Sequence, residues 1–225
     1  MRLIVITTET FFDGEADAVN LLFENRLDTL HLRKPHASLQ ETKDFLFRIK
    51  SCFRARIVIH DHYQLMNIFS IKGIHLNRRS KDNLKHAPNT NDSKIIMSKV
   101  NSPRYGRGQE GGCSLSRSCH SLEEITASSY CDYVFLSPIF DSISKAGYIQ
   151  AFTHQHLHEA KSASIINENV IALGGVTTEN IPIARAFGFG GVAVLGALWD
   201  SFADNRNVSE LLKRFNELKI KCDVN

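Results

Sequence analysis

Short apolar runs recur along the chain, and segments with helical periodicity separate most of them. Leu3-Ile-Val-Ile-Thr7 predicts a buried strand, and Glu15 to Glu24 carries apolar residues at 16, 19, 22 and 23, on one helical face. Thr29-Leu-His-Leu-Arg33 predicts a second strand. After Pro35, Ser38 as N-cap with Glu41 three residues on predicts a capped helix to about Lys50. Ile57 to His60 reads as the third strand, followed by a short helix through Leu65 and Ile68, and Gly73 to Leu76 as the fourth. From Asn77 to about Gly112 the rhythm stops in a polar, partly glycine-rich stretch. It resumes with a weak strand at Cys113 to Ser116 and a helix opened by Ser121, with Glu124 as its capping-box partner. Tyr133–Leu136, Val170–Leu173 and Gly191–Leu195 complete the strands, with helices near 152–163 and 180–187 and from Val208 to about Leu218.

Strands alternating with helices predict an α/β protein with a parallel sheet. Eight such units predict a closed (β/α)8 TIM barrel, a single domain over residues 1–225 with a polar loop insertion at about 81–112. The alternative, an open doubly wound sheet, is disfavoured because the first strand–helix turn, Thr7 to Gly14, has no GxGxxG.

Composition narrows the function. With 43% hydrophobic and 23% charged residues the chain is globular, and 27 basic against 24 acidic residues are too balanced to predict nucleic-acid binding. A small anionic ligand suits that balance as well. Five cysteines, with no CxxC pair and no zinc-finger spacing, read as reduced thiols. With no signal-peptide pattern and no run of 18 apolar residues, a cytoplasmic protein without a membrane partner is expected.

In a barrel of this kind, reactive residues sit at the C-terminal ends of strands. There the sequence places His31 and Arg33, His60 and Asp61, His75, Ser118 and His120, Ser137, Gly174-Gly175 and Leu195-Gly196. Glycines let backbone N–H groups approach an anion closely, so Gly174-Gly175 and Leu195-Gly196 at strands seven and eight predict a phosphate cup. His120 has the chemistry for proton transfer near neutral pH, and equally that of a histidine packed on a helix start. Asp61 is either a cation ligand or the N-cap of the helix at His62, and without a second carboxylate no metal site is predicted. Ser142, Ser144 and Lys145 form a polar loop able to clamp phosphate, although a surface lysine there would be unremarkable. His154, His156 and His158 read as a solvated helix, and Cys113, Cys119 and Cys131 as small buried fillers.

Taken together, His31-Leu-Arg33, Ile59-His-Asp61, Gly73-Ile-His-Leu76, Arg117-Ser-Cys-His-Ser-Leu-Glu-Glu124 and Asp132 to Phe140 resemble the thiamine phosphate synthase/TenI superfamily of barrels. Ser142-Ile-Ser-Lys145, Ala172-Leu-Gly-Gly-Val176 and Gly191 to Leu195 continue the likeness in the same order. The resemblance implies one of two activities. Synthases join hydroxymethylpyrimidine diphosphate to a thiazole phosphate with Mg²⁺ and release pyrophosphate. TenI-type tautomerases move a proton on a carboxythiazole phosphate without metal.

The synthase pattern resembles Gln-x-Arg-x-Lys, where this chain has His31-Leu-Arg33-Lys34-Pro35. The synthase Asn-Asp pair is His60-Asp61 here, and the stretch that holds its second Mg²⁺ carboxylate is Asn77-Arg-Arg-Ser80. Arg78 and Arg79 would oppose a cation, or hold a diphosphate directly. His120 stands in nearly the TenI wording. The resemblance therefore implies first a thiazole tautomerase with no cofactor and no metal, in which His120 takes a proton from ring C2 and returns one to the exocyclic carbon. His31, Arg33, His60, Asp61, Ser118, Ser142, Ser144, Lys145, Gly174, Gly175, Leu195 and Gly196 would bind the thiazole phosphate. A synthase using Mg²⁺ is the second reading, and a non-catalytic phosphate-binding homologue the third. The sequence does not show the oligomeric state, and the resemblance allows a homodimer, because barrels of this family often pair.

Overall fold

The structure, a computed structural model, describes residues 1–77, 113–141 and 150–224. The predicted insertion at 81–112 lies outside the described residues. Eight parallel strands hydrogen-bond in chain order and close into a barrel, β1 beside β8. They are β1 (Arg2–Ile6), β2 (Thr29–Leu32), β3 (Ile57–Ile59), β4 (Gly73–Leu76), β5 (Ser114–Cys119), β6 (Tyr133–Leu136), β7 (Val170–Leu173) and β8 (Gly191–Val194). The chain packs as two compact units, Met1–Ile6 with Cys119–Ser129 and Tyr133–Asn225, and Thr7–Ser118 with Tyr130–Asp132.

In the first unit Leu3 stands opposite Val192 and Val5 opposite Val194, while Ala172 of β7 pairs with both Leu136 and Val192. Alternate side chains of these strands, Ile4, Ile6, Tyr133, Phe135, Ile171 and Ala193, form a buried cluster, with Leu173 and Leu195 packed against it. Its helices are α4 (Leu122–Thr126), α5 (His154–Ser162), α6 (Ile181–Ala186), the short turns α7 (Gly196–Trp199) and α8 (Phe202–Asn205), and α9 (Val208–Asp223). Asn207 caps α9 by accepting from the Glu210 N–H, and the helix buries Leu211, Phe215, Leu218 and Cys222. Trp199 is fully buried, and its indole N–H donates to the Ile6 carbonyl at 2.8 Å. On α5, His154 and His158 both meet the Phe187 ring edge-on at 5.3 Å, as their i, i+4 spacing requires, and His156 is exposed.

In the second unit His31 stands opposite Val58, Ile59 opposite Ile74, and His75 opposite Ser116. Its helices are α1 (Glu15–Glu24), α2 (Leu39–Arg48) and α3 (Ser51–Arg54), with a 3-10 turn over Tyr63–Asn67. The predicted apolar face of α1 is buried, and the Ser38–Glu41 capping box on α2 is complete in both directions.

Four local expectations are corrected. The helix expected to run to Lys50 stops at Arg48, because the Asn20 amide donates to the Arg48 carbonyl and accepts from the Lys50 N–H. Those tertiary bonds replace the next helical ones. Asp61 does not cap the following turn: the cap position is His62, in the left-handed region at φ 55°. Ser121 does accept from the Glu124 N–H, but the Glu124 carboxylate takes the His120 N–H, one residue before the cap. Strand β5 continues to Cys119 rather than ending at Ser116.

Candidate active site

In the second unit, the residues after β2 divide into one cation half-exposed and one buried. The Arg33 N–H donates to Thr7 Oγ1 at 2.9 Å, and its guanidinium pairs with Glu9 at 2.8 Å on a half-exposed surface. Lys34 turns inward. Its Nζ lies 2.7 Å from both Glu15 carboxylate oxygens and 2.8 Å from the Thr10 carbonyl, with 2% of its side chain exposed. Burial pushes the Lys34 ammonium down and the Glu15 carboxyl up from their usual ranges, and their mutual attraction pulls each back. Lys34, the lysine one place off the synthase pattern, thus serves an ion pair between the β2 end and α1.

Beside it, β2, β3 and β4 each place a histidine in one buried group. His31 is fully buried and its Nδ1 is 2.9 Å from Nε2 of His60, itself 4% exposed. The His60 and His75 rings stack at 4.2 Å, and the His31 ring meets each edge-on at 5.1 and 5.2 Å. His75 bonds two hydroxyls of β5, Ser116 through Nδ1 and half-buried Ser118 through Nε2, both at 2.9 Å. Burial, with Arg33 and Arg117 nearby, holds His75 down to about 3, and burial with His75 and Lys72 holds His31 well below its usual value. Both rings are neutral at physiological pH. Asp61, half-buried, follows His60, and the Asn77 amide donates to the His60 carbonyl at 3.0 Å.

In the first unit, His120 is exposed directly after β5. Its Nδ1 donates to the Ser137 carbonyl at 3.0 Å, so in the neutral ring the lone pair is on Nε2. Gly174 and Gly175 end β7 at φ 95° and 62°. A Cβ at Gly175 would fall 2.1 Å from the Asp141 carbonyl oxygen, and one at Gly174 3.0 Å from Pro138. The turn is pinned by the Phe140 N–H on the Gly174 carbonyl and by the Asn180 amide on the Gly175 carbonyl. Leu195 and Gly196 end β8 and open α7, whose first N–H groups have no partner within the helix.

The predicted residues thus fall in two sets. His31, Arg33, His60, Asp61 and Ser118 belong to one unit, and His120, Gly174, Gly175, Leu195 and Gly196 to the other. Ser142, Ser144, Lys145, Arg78, Arg79 and Ser80 lie outside the described residues. Sequence reasoning missed Ser116 and left His75 without a role. The available signal was the alternation Ser114-x-Ser116-x-Ser118, a polar face on a buried strand that needs polar neighbours.

Eight parallel strands closed in chain order define a (β/α)8 barrel, the architecture of enzymes whose chemistry is built at strand C-terminal ends. The family is more specific. The thiamine monophosphate synthase (TMP-TENI) family model matches residues 3–198, and the chain belongs to that family, whose place is thiamine biosynthesis. A thiamine phosphate pyrophosphorylase structure from Bacteroides thetaiotaomicron is 36% identical with a TM-score of 0.78, covering 99% of this chain and 98% of that one. One from Pyrococcus furiosus shares the fold at 19% identity and a TM-score of 0.63, covering 96% of each. A thiamine-phosphate synthase of Limosilactobacillus reuteri is 24% identical over 149 residues, 64% of this chain but only 59% of that protein. The match thus spans less than two thirds of that relative.

Synthase chemistry implies Mg²⁺, which proteins commonly hold through one or two carboxylates together with substrate phosphates. Asp61, half-buried after β3, would be one such carboxylate. Among the described residues that single carboxylate would suit an ion shared with phosphate oxygens rather than an all-protein cage.

Proposed function

We propose that this protein is a thiamine-phosphate synthase, joining hydroxymethylpyrimidine diphosphate to a thiazole phosphate with release of pyrophosphate. The observation that carries this reading is the 36% identity over nearly the whole chain to a thiamine phosphate pyrophosphorylase. The curated relative from Limosilactobacillus reuteri has a name that points the same way. The glycine turns at Gly174-Gly175 and Leu195-Gly196 bind the thiazole phosphate through backbone N–H groups, which supply a fixed positive field. Arg33 binds the diphosphate and stabilises the charge that grows on it as pyrophosphate leaves. Asp61 would hold Mg²⁺ against the same diphosphate, where the ion supplies further charge neutralisation.

The test is pyrophosphate release by the purified protein from the two synthase substrates, with and without Mg²⁺. Mg²⁺-dependent release is expected. Arg33→Ala should lower kcat/KM about 10²–10³-fold, the cost of removing one charge-stabilising donor. No release from either mixture would overturn the reading.

His120 favours a second reading, the metal-free thiazole tautomerase. Its Nδ1–H is committed to the Ser137 carbonyl, so any proton it exchanges with a ligand passes through Nε2, on an exposed side chain. Under this reading His120→Ala loses about 10²–10⁴-fold in tautomerase turnover while phosphate binding persists. Under the synthase reading the wild-type protein shows no tautomerase turnover.

A further inference from the structure

We propose that His31, His60 and His75 together hold one divalent transition-metal ion of the zinc class, bound through imidazole nitrogen alone. The three residues lie in β2, directly after β3 and in β4, are all buried, and offer ligand nitrogens within 4.8 Å of one another. This site is distinct from the Mg²⁺ of the synthase reading. Mg²⁺ demands oxygen donors, whereas imidazoles suit zinc, copper and nickel, and three histidines with one open position form a known zinc geometry.

Imidazole lone pairs lie in the ring plane, and the His60 and His75 rings stack at 4.2 Å, so the rings share an ion only once one of them turns. The hydrogen bonds show which nitrogen of His75 can offer its lone pair. In the tautomer with Nδ1 protonated, His75 donates to Ser116 Oγ at 2.9 Å and that hydroxyl donates on to the Ile74 carbonyl at 3.4 Å. The lone pair of His75 is therefore on Nε2, and its other nitrogen already has the hydrogen-bond partner that metal-bound histidines need. The Tyr63 hydroxyl donates to the His75 carbonyl at 2.8 Å and holds the strand behind it.

Between Nδ1 of His31 and Nε2 of His60, at 2.9 Å, lies one shared proton and one lone pair. To ligate through both atoms, the donor ring moves that proton to its other nitrogen, and all three rings stay neutral. No net proton is released. Burial favours this, because it keeps His31 and His75 in the neutral, ligating form. Ser118, half-buried and 2.9 Å from Nε2 of His75, marks the side from which an ion enters, its hydroxyl yielding that nitrogen.

The opposing field is also defined. Arg33, Arg117 and Lys72 are the cations that act on these rings, and they weaken binding of a dication without removing the ligand set. Among the described residues no other group of three potential ligands is this close.

The experiment uses full-length protein stripped with a chelator and titrated with Co²⁺, then Zn²⁺, followed by visible absorption and thermal unfolding. A surface pair, His154 and His158 on α5, could also take metal, so His154→Gln/His158→Gln is run beside the wild type. One equivalent of Co²⁺ per chain with intense tetrahedral absorption, retained in that double variant, displaced by Zn²⁺ and accompanied by a raised Tm, is the expected result. His75→Gln should reduce the absorption at least tenfold. Should that variant fail to fold, X-ray absorption at the zinc edge of the wild type must count three imidazoles. No stoichiometric binding, a pale octahedral spectrum, or a signal lost with the surface pair would overturn the site. Pyrophosphate release is scored separately, so failure of the synthase reading and failure of this site are distinguishable.

Discussion

At Gly175 the backbone conformation and the space around it exclude a side chain independently. Its φ of 62° is left-handed, and a Cβ would lie 2.1 Å from the Asp141 carbonyl oxygen. Gly175→Ala should therefore shift this turn, lowering Tm by several degrees and weakening inorganic phosphate or thiazole phosphate binding at least tenfold by calorimetry. Gly188→Ala is the control, since it shares a positive φ of 84° but meets only the flexible Lys161 side chain, at 3.3 Å. It should lower Tm while leaving phosphate affinity unchanged. Single residues of this kind were legible in the sequence where backbone chemistry decides, as at Gly174-Gly175. They were not legible where a partner distant in sequence decides. Nothing near Lys34 in sequence announces that Glu15, 19 residues earlier, takes its charge inward, and nothing near His75 announces the hydroxyls of β5, 41 and 43 residues on.

Between elements, the Lys34–Glu15 pair is the most buried ion pair among the described residues, joining the end of β2 to the first turn of α1 with side chains 2% and 1% exposed. Removing one partner leaves the other charge buried alone, so Lys34→Met should cost about 3–5 kcal/mol in urea unfolding. The double variant Lys34→Met/Glu15→Leu should recover most of that, because the uncompensated charge is gone. A double variant as unstable as the single would mean that shape rather than charge sets the cost. The elements themselves followed the apolar periodicity closely: the α1 face, the Ser38 capping box and seven of the strands lie where the pattern puts them. Two of the departures share one cause, tertiary hydrogen bonds overriding a local pattern. Asn20 cuts the helix at Arg48, and β5 extends through polar residues because its inward hydroxyls meet His75.

For the whole molecule, the barrel was read from the count and order of units, and the family from motifs scattered over most of the chain. The choice of activity was harder, because it rests on a few polar substitutions, and the named relatives shift the weight from tautomerase to synthase. Compactness makes a prediction about thiols. Cys52 is exposed, whereas Cys119, Cys131 and Cys222 are buried, and burial pushes the Cys222 thiol up to about 11. A thiolate is the reactive form, so at pH 8 Cys222 stays protonated as well as shielded. A thiol reagent should therefore modify Cys52 first in the native protein and all five cysteines in denaturant. Rapid native labelling of Cys222 would contradict this packing. The chain has one tryptophan, Trp199, fully enclosed and tied through its indole N–H to the end of β1. The protein thus carries its own optical gauge at the seam where β8 meets β1. Its emission should be blue-shifted and poorly quenched by acrylamide while that seam is shut, and should turn red when it opens, with no label attached.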